Sequence, residues 1–131
     1  MTSINEMSKK ILVTNALPYA NNSIHIGHLV GYIQADIWVR YQKMKERDCL
    51  YLCASDSHGT PIMLSAEAIG LEPEALAEQY TKEHSKDFQD FLIEFDNYHS
   101  THTTENETLV GEIFNQLNKS GHIEKKIIEQ S

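Results

Sequence analysis

The sequence predicts an α/β fold, a parallel sheet with flanking helices, and three features point to it. A short β-branched run, Ile11-Leu12-Val13-Thr14, precedes a long amphipathic segment from Gly27 to about Glu46. A second apolar run, Leu50 to Ala54, follows that segment closely. Two strand-like runs joined by a helical segment form a βαβ unit, and such units belong in parallel sheets.

Taken in order, Lys10 to Thr14 reads as the first strand. Between Gly27 and Glu46, Leu29, Val30, Ile33, Ile37, Trp38, Tyr41 and Met44 recur at the helical period. Lys43, Lys45 and Arg47 suit the negative end of that helix. Leu50 to Ala54 reads as the second strand. Thr60 as cap and Pro61 at the first helical position open a short helix to about Ile69, which Gly70 ends. Pro73 opens another helix, with Leu76, Tyr80, Phe88, Phe91 and Leu92 expected on its buried side. The stretch Thr104-Glu105-Asn106-Glu107 fits a capping box ahead of Leu109, Val110, Ile113, Phe114 and Leu117. Gly121 would stop that helix, and Ile123 to Ile128 is a candidate last strand. The whole reads as the first half of a Rossmann-like doubly wound parallel sheet. In such sheets ligands lie beyond the carboxyl ends of the strands, so the loops 15–28 and 55–60 should face one crevice.

Composition narrows the function. The chain has 131 residues, enough for a modest single core, and a formal net charge of −8. That balance disfavours a broad grip on a nucleic-acid backbone. No stretch approaches the roughly 18 apolar residues of a membrane span. The first residues are polar and lack a secretory apolar segment, which gives a cytoplasmic expectation. The cysteines, Cys49 and Cys53, are four apart on a predicted strand and share one of its faces, as core residues would. They do not make the Cys-x-x-Cys spacing of a zinc site. His99-x-x-His102 invites a metal reading but has no cysteine or acid in register. His84 and His122 read as surface residues. No resident metal is therefore expected.

The chemistry concentrates in the run from Leu17 to His28. A helix N-terminus offers unpaired N–H groups and a positive dipole end, a natural seat for an anion. Gly27 permits close approach of a ligand to the backbone. His25 and His28, three apart, share one face of the first turn and can donate hydrogen bonds to phosphate oxygens. Asp56, at the end of a buried strand, suits a cationic ligand group; the plainer reading is a helix cap before Thr60. His58 either touches a ligand or fixes its own loop through its ring nitrogens.

These residues carry a specific resemblance. His25-Ile26-Gly27-His28 is similar to the HIGH signature of class I aminoacyl-tRNA synthetases. With Ala16-Leu17-Pro18-Tyr19-Ala20-Asn21 before it, the chain resembles the methionyl-tRNA synthetase family. The block Ala54-Ser55-Asp56-Ser57-His58-Gly59-Thr60-Pro61 and the segment Asp96 to His102 resemble that family too. The resemblance runs from about Lys9 to the last residue. It implies in-line attack of a methionine carboxylate on the α-phosphorus of ATP, with pyrophosphate leaving and Mg²⁺ arriving with the nucleotide. It implies roles for Asn21, His25, Gly27 and His28 around ATP. It implies that Asp56 pairs with the methionine ammonium, and that Ala16, Leu17 and Tyr19 line the methionine pocket. It implies tRNA as a partner of the full-length enzyme, held mostly by regions not in this chain.

The family's lysine-bearing KMSKS loop does not occur in this sequence, nor does the zinc knuckle of its connecting insertion. The expected organisation is a flexible tail over residues 1–8, the N-terminal half of the catalytic domain over 9–122, and the start of the insertion over 123–131. On this reading the chain is a fragment, inactive alone, with apolar surface exposed where further sheet would pack. Two rivals stay open: a nucleotidyltransferase using H-x-G-H on another acceptor, and a non-catalytic truncated module.

Overall fold

The computed structural model describes residues 10–127. They form β1 (Ile11–Thr14), α1 (Ile26–Met44), β2 (Cys49–Ser55), α2 (Thr60–Ile69), α3 (Pro73–Asp90), β3 (Asn97–Ser100) and α4 (Thr104–Lys119). The three strands make one parallel sheet with β2 in the middle, in the order β1-β2-β3. Register pairs Ile11 with Cys49 and Leu52 with Asn97. The chain divides into two compact units, Met1–Thr101 and His102–Ser131. The expected tail at 1–8 lies outside the described residues. So does Ile128, and residues 122–127 form no strand.

Strand alternation sorts the sheet into two unlike faces. Cys49, Tyr51 and Cys53 of β2 join Leu29, Tyr32 and Val39 of α1 and Phe88 of α3 in the main core, with Ile11, Val13 and Tyr98 packed against them. Phe88, Phe95 and Tyr98 stack or meet edge-to-face at centroid distances of 5.1–5.5 Å. Burial pushes the Cys53 thiol up to about 11, against an opposing pull from the Ala54 backbone. It pushes the Tyr98 phenol up to about 12, against the hydrogen bond from Ser55. On the opposite face, Leu12 is 64% exposed and Leu50 47%. A parallel sheet is ordinarily covered on both sides; this face carries an open apolar row.

The apolar stripe expected on α1 is largely its exposed side. Val30, Ile37, Trp38, Tyr41 and Met44 are exposed, while Leu29, Tyr32, Asp36, Val39 and Gln42 are buried. Polar residues occupy the inner face because each has a partner there. Asp36 accepts from Arg40 Nε at 2.6 Å and from the Glu94 N–H at 3.0 Å. Gln42 Oε1 accepts from Arg47 at 2.6 Å. Arg40 also donates to the Leu92 carbonyl, at 2.5 Å. Lys43 reaches Asp96 at 2.7 Å, and Asp96 accepts from the Tyr51 N–H at 2.7 Å. These bonds fasten the 92–96 turn to α1 and β2 just ahead of β3, a strand that the sequence reading did not include.

Three helix boundaries also differ. The cap of α2 is Gly59, with no side-chain bond, so neither Thr60 nor Asp56 caps it. Phe91 and Leu92 are exposed: the chain turns at Phe91, and Leu92 takes φ 58°, directing the following chain into the core at Ile93. In the second unit Thr103, one residue before the expected position, caps α4 by accepting from the Asn106 N–H. Gly70 and Gly121 take the left-handed conformation expected after α2 and α4.

Burial raises the Asp96 pKa, but the bonds from Lys43 and the Tyr51 N–H outweigh it and leave the carboxyl below the ordinary range. A depressed folded-state pKa contributes stability above the unfolded value, lost as pH falls through the folded one. Asp96→Asn is therefore expected to cost about 2 kcal/mol at neutral pH, with a shallower loss of stability below about pH 4; urea titrations at both pH values check this. Leu12→Lys with Leu50→Lys should leave stability within about 1 kcal/mol while reducing binding of an apolar-surface dye.

Candidate active site

The two sequence motifs meet through backbone bonds just beyond β1 and β2. The Asp56 N–H donates to the Pro18 carbonyl and the Ala20 N–H to the Asp56 carbonyl, at 2.9 and 2.8 Å. They form a one-residue parallel bridge between Tyr19 and Asp56. The bridge stands apart from the β1–β2 ladder, beyond the ends of both strands, and it holds Asp56 beside the Pro18–Ala20 segment. Among the described residues, the half-buried Asp56 carboxylate has no hydrogen-bond or ion-pair partner.

Neighbouring side chains hold both loops. Tyr32 of α1 donates to the Ala16 carbonyl, and Tyr51 of β2 to Asn15 Oδ1, each at 2.5 Å. Asn15 Nδ2 in turn donates to the Gly31 carbonyl. Ala20 is fully buried in a second apolar cluster with Ile62 and Ala66 of α2 and Leu76 and Ala77 of α3. On the far side of Asp56, the Ser57 N–H donates to Thr101 Oγ1 at 2.9 Å, and Ser57 Oγ lies 2.9 Å from Ser100 Oγ. The 55–58 loop is thus clasped between the Pro18 segment and the end of β3.

Tyr19 lies over the start of α2. Its hydroxyl donates to the His58 carbonyl at 2.9 Å. Gly59 has φ 123°, and a Cβ there would stand 2.5 Å from the Tyr19 hydroxyl. Glycine is required twice over, by conformation and by space. The His58 ring is exposed, with Nδ1 3.4 Å from Thr101 Oγ1. Leu17 and Ala16 are exposed on the same loop.

At the other end of the loop, His25 and His28 cap α1 and each other. The Gly27 N–H donates to His25 Nδ1 at 3.1 Å, and the His25 N–H donates to His28 Nδ1 at 3.2 Å. The rings stack at 3.8 Å. A neutral imidazole has one N–H; with both Nδ1 atoms accepting, both protons sit on Nε2. This reciprocal cap satisfies two helix-start N–H groups and leaves two exposed Nε2–H donors side by side. Asn21 is half-buried within this loop.

Sequence reasoning missed several contributors. Pro18, Ser57 and Thr101 lie in the motif strings but were not singled out, and they hold the two loops by hydrogen bonds; His84 bonds the Asn22 carbonyl. His84 is fully buried, contrary to the surface reading. The spacing Leu76, Tyr80, His84, Phe88 placed it on the inner stripe of α3. His99 lines a cleft of about 370 Å³ with Lys82, Ser85 and Lys86 of α3. Among the described residues, no group of three or more His, Cys, Asp or Glu is arranged to hold a metal. Nor is any helix there long and apolar enough to cross a membrane.

A three-stranded parallel sheet entered by a βαβ unit, with two histidines capping the crossover helix, is the fold of a class I aminoacyl-tRNA synthetase catalytic domain. A family model described as tRNA synthetases class I (M) matches residues 11–131, and the chain belongs to that family. It is 55% identical over 123 residues to a methionine–tRNA ligase of Francisella tularensis subsp. holarctica, covering 94% of this chain and 18% of the relative. Methionine–tRNA ligases from F. tularensis subsp. tularensis match equally over the same shares. The chain thus spans about a fifth of the length of these relatives. Among solved structures, the methionyl-tRNA synthetase of Mycobacterium tuberculosis bound by methionyl-adenylate superimposes with a TM-score of 0.83 at 26% identity, over 86% of this chain and 22% of that one. The leucyl enzyme of Agrobacterium radiobacter K84, in a complex with tRNA, shares the fold alone, at a TM-score of 0.81 and 22% identity over 89% of this chain and 15% of that one.

Two measurements check the geometry. Long-range ¹⁵N–¹H spectra of the imidazoles should show the Nε2–H form for neutral His25 and His28. Gly59→Ala should cost about 1–3 kcal/mol of stability and shift the Tyr19 ring resonances, since the added carbon meets that hydroxyl.

Proposed function

We propose that this chain forms the methionine- and ATP-facing part of a methionine–tRNA ligase. In this reading a methionine carboxylate oxygen attacks the α-phosphorus, forming the methionyl-adenylate and releasing pyrophosphate. A tRNA then accepts the methionyl group. The single observation that carries the reading is the mutual cap of His25 and His28. It presents two fixed N–H donors at the positive end of α1, where phosphate charge would be stabilised without proton transfer. Gly27 lets the phosphates approach the helix start, and Asn21 adds a donor from the loop.

Asp56 takes the methionine ammonium. Its carboxylate is half-buried and otherwise unpaired, so the ammonium supplies the counter-charge that the site lacks. The bridge to Tyr19 sets that carboxylate beside the segment proposed to line the methionine pocket. Tyr19, Leu17 and Ala16 form its wall, where a thioether packs well against an aromatic edge. His58 contributes by holding the loop, through its carbonyl to Tyr19 and its ring to Thr101. Mg²⁺ enters as the counter-ion of ATP. Residues 9–122 are assigned to the N-terminal half of the catalytic domain and 123–131 to the start of its insertion. The net charge of −8 leaves most of the tRNA grip to other parts of the enzyme.

Calorimetric titration of the intact chain tests this. Weak binding of methionine and of ATP is expected, with methionine-dependent pyrophosphate exchange at background because no lysine-bearing loop is present. Asp56→Ala should weaken methionine at least about tenfold and leave ATP nearly unchanged. Methionine binding that is absent, or indifferent to Asp56, would overturn the proposal.

A further inference from the structure

Deep in α3 lies a histidine that the proposed chemistry does not use. His84 is fully buried. Its Nε2 stands 2.7 Å from the carbonyl oxygen of Asn22, sixty-two residues away in sequence. A carbonyl can only accept, so Nε2 carries the proton. The other ring nitrogen, Nδ1, is buried without a hydrogen-bond partner. With its proton on Nε2, the neutral ring leaves Nδ1 as a bare acceptor.

The bond lands on the stretch that joins the two halves of the site. Asn22 follows Asn21 and lies three residues before His25. Other hydrogen bonds in this stretch are local: the Asn21 N–H donates to the Tyr19 carbonyl, and the Ser23 N–H to Asn22 Oδ1. Short-range bonds fix a turn's shape but not where the turn sits. The bond from His84 ties it to α3. The flanking Tyr80, 6.0 Å away ring to ring, packs against the cluster that buries Ala20.

We infer that His84 is a positioning residue, which sets the Asn21–His25 turn against α3 and thereby aims the His25–His28 donors. The nucleotide part of this inference rests on the function proposed above; the loop-setting part does not. The orphaned Nδ1 fits a selected role, since a buried acceptor without a partner is a standing cost that an apolar residue would avoid.

The test uses the full 131-residue chain and two substitutions. His84→Leu keeps bulk and removes the donor; His84→Gln restores an N–H near Nε2. Amide hydrogen exchange at Ser23 and His25 should speed up about tenfold in the leucine variant, the worth of one hydrogen bond, and return towards wild type in the glutamine variant. Exchange in β2 should stay unchanged. Titration with ATP should show the same order: weaker for leucine, recovered for glutamine. Unchanged exchange at Ser23 and His25 in His84→Leu would overturn the inference, as would an Nδ1–H signature for His84 in wild-type imidazole spectra. Should the leucine variant not fold, that spectrum and the glutamine variant still decide it. Wild type that ignores ATP while the exchange pattern holds would count against the nucleotide reading and leave the positioning role standing.

Discussion

The meeting of the two motif loops depends on the short parallel pairing between Tyr19 and Asp56. Two backbone hydrogen bonds make an isolated parallel bridge beyond the β1–β2 ladder, five residues after β1 and one after β2. In doing so they convert a sequence separation of thirty-seven residues into direct adjacency. The constraint is geometric before it is chemical. Backbone pairing sets where Asp56 leaves the sheet, and the side chain needs no further bond to be placed. Its carboxylate stays available for a ligand because main-chain atoms do the holding.

The same economy governs the other end of the loop. A helix start must find acceptors for its first N–H groups, and here the imidazoles supply them from Nδ1. The structural task and the proposed chemical task therefore use opposite edges of the same rings. Capping on one edge dictates the proton on the other. Stacking of the two rings restrains their rotation, so the donors are oriented before any ligand arrives. Preorganisation of this kind matters most where charge develops on a ligand, since it removes reorganisation from the reacting event.

How much of this was legible beforehand follows from which signals are local. The βαβ unit, the glycine stops after α2 and α4, and the paired cysteines on one strand face were readable, because period, turn chemistry and alternation act over a few residues. The inner face of α1 was not. Hydrophobic periodicity favoured Val30, Ile37 and Met44, whereas the buried face carries Asp36 and Gln42, whose partners Arg40, Glu94 and Arg47 give no apolar signal. β3 escaped for a similar reason: Asn97-Tyr98-His99-Ser100 has few β-branched residues, and its place is set by Asp96 bonding the Tyr51 N–H across forty-five residues. At the site, the histidine pair and Asp56 were visible as motifs. His84, Ser57 and Thr101 were not, since positioning residues are defined by what they touch.

The placement of two carboxylates, Asp36 and Asp96, then explains why the sheet can be so lopsided and still keep its register. Its covered face gains from aromatic packing around Phe88 and Tyr98, but burial alone would allow a strand to slip by two residues and keep the same pattern. Asp36 and Asp96 forbid that slip. Each accepts from one particular backbone N–H, at Glu94 and Tyr51, and from one cation on α1. Moving β3 by one pair would separate Asp96 from the Tyr51 N–H and from Lys43, and the Glu94 N–H from Asp36, whose bond to Arg40 within α1 would remain. Register at β3 in turn fixes Ser100 and Thr101, which clasp Ser57 beside Asp56. The acid proposed to bind substrate is therefore positioned by acids that never meet it.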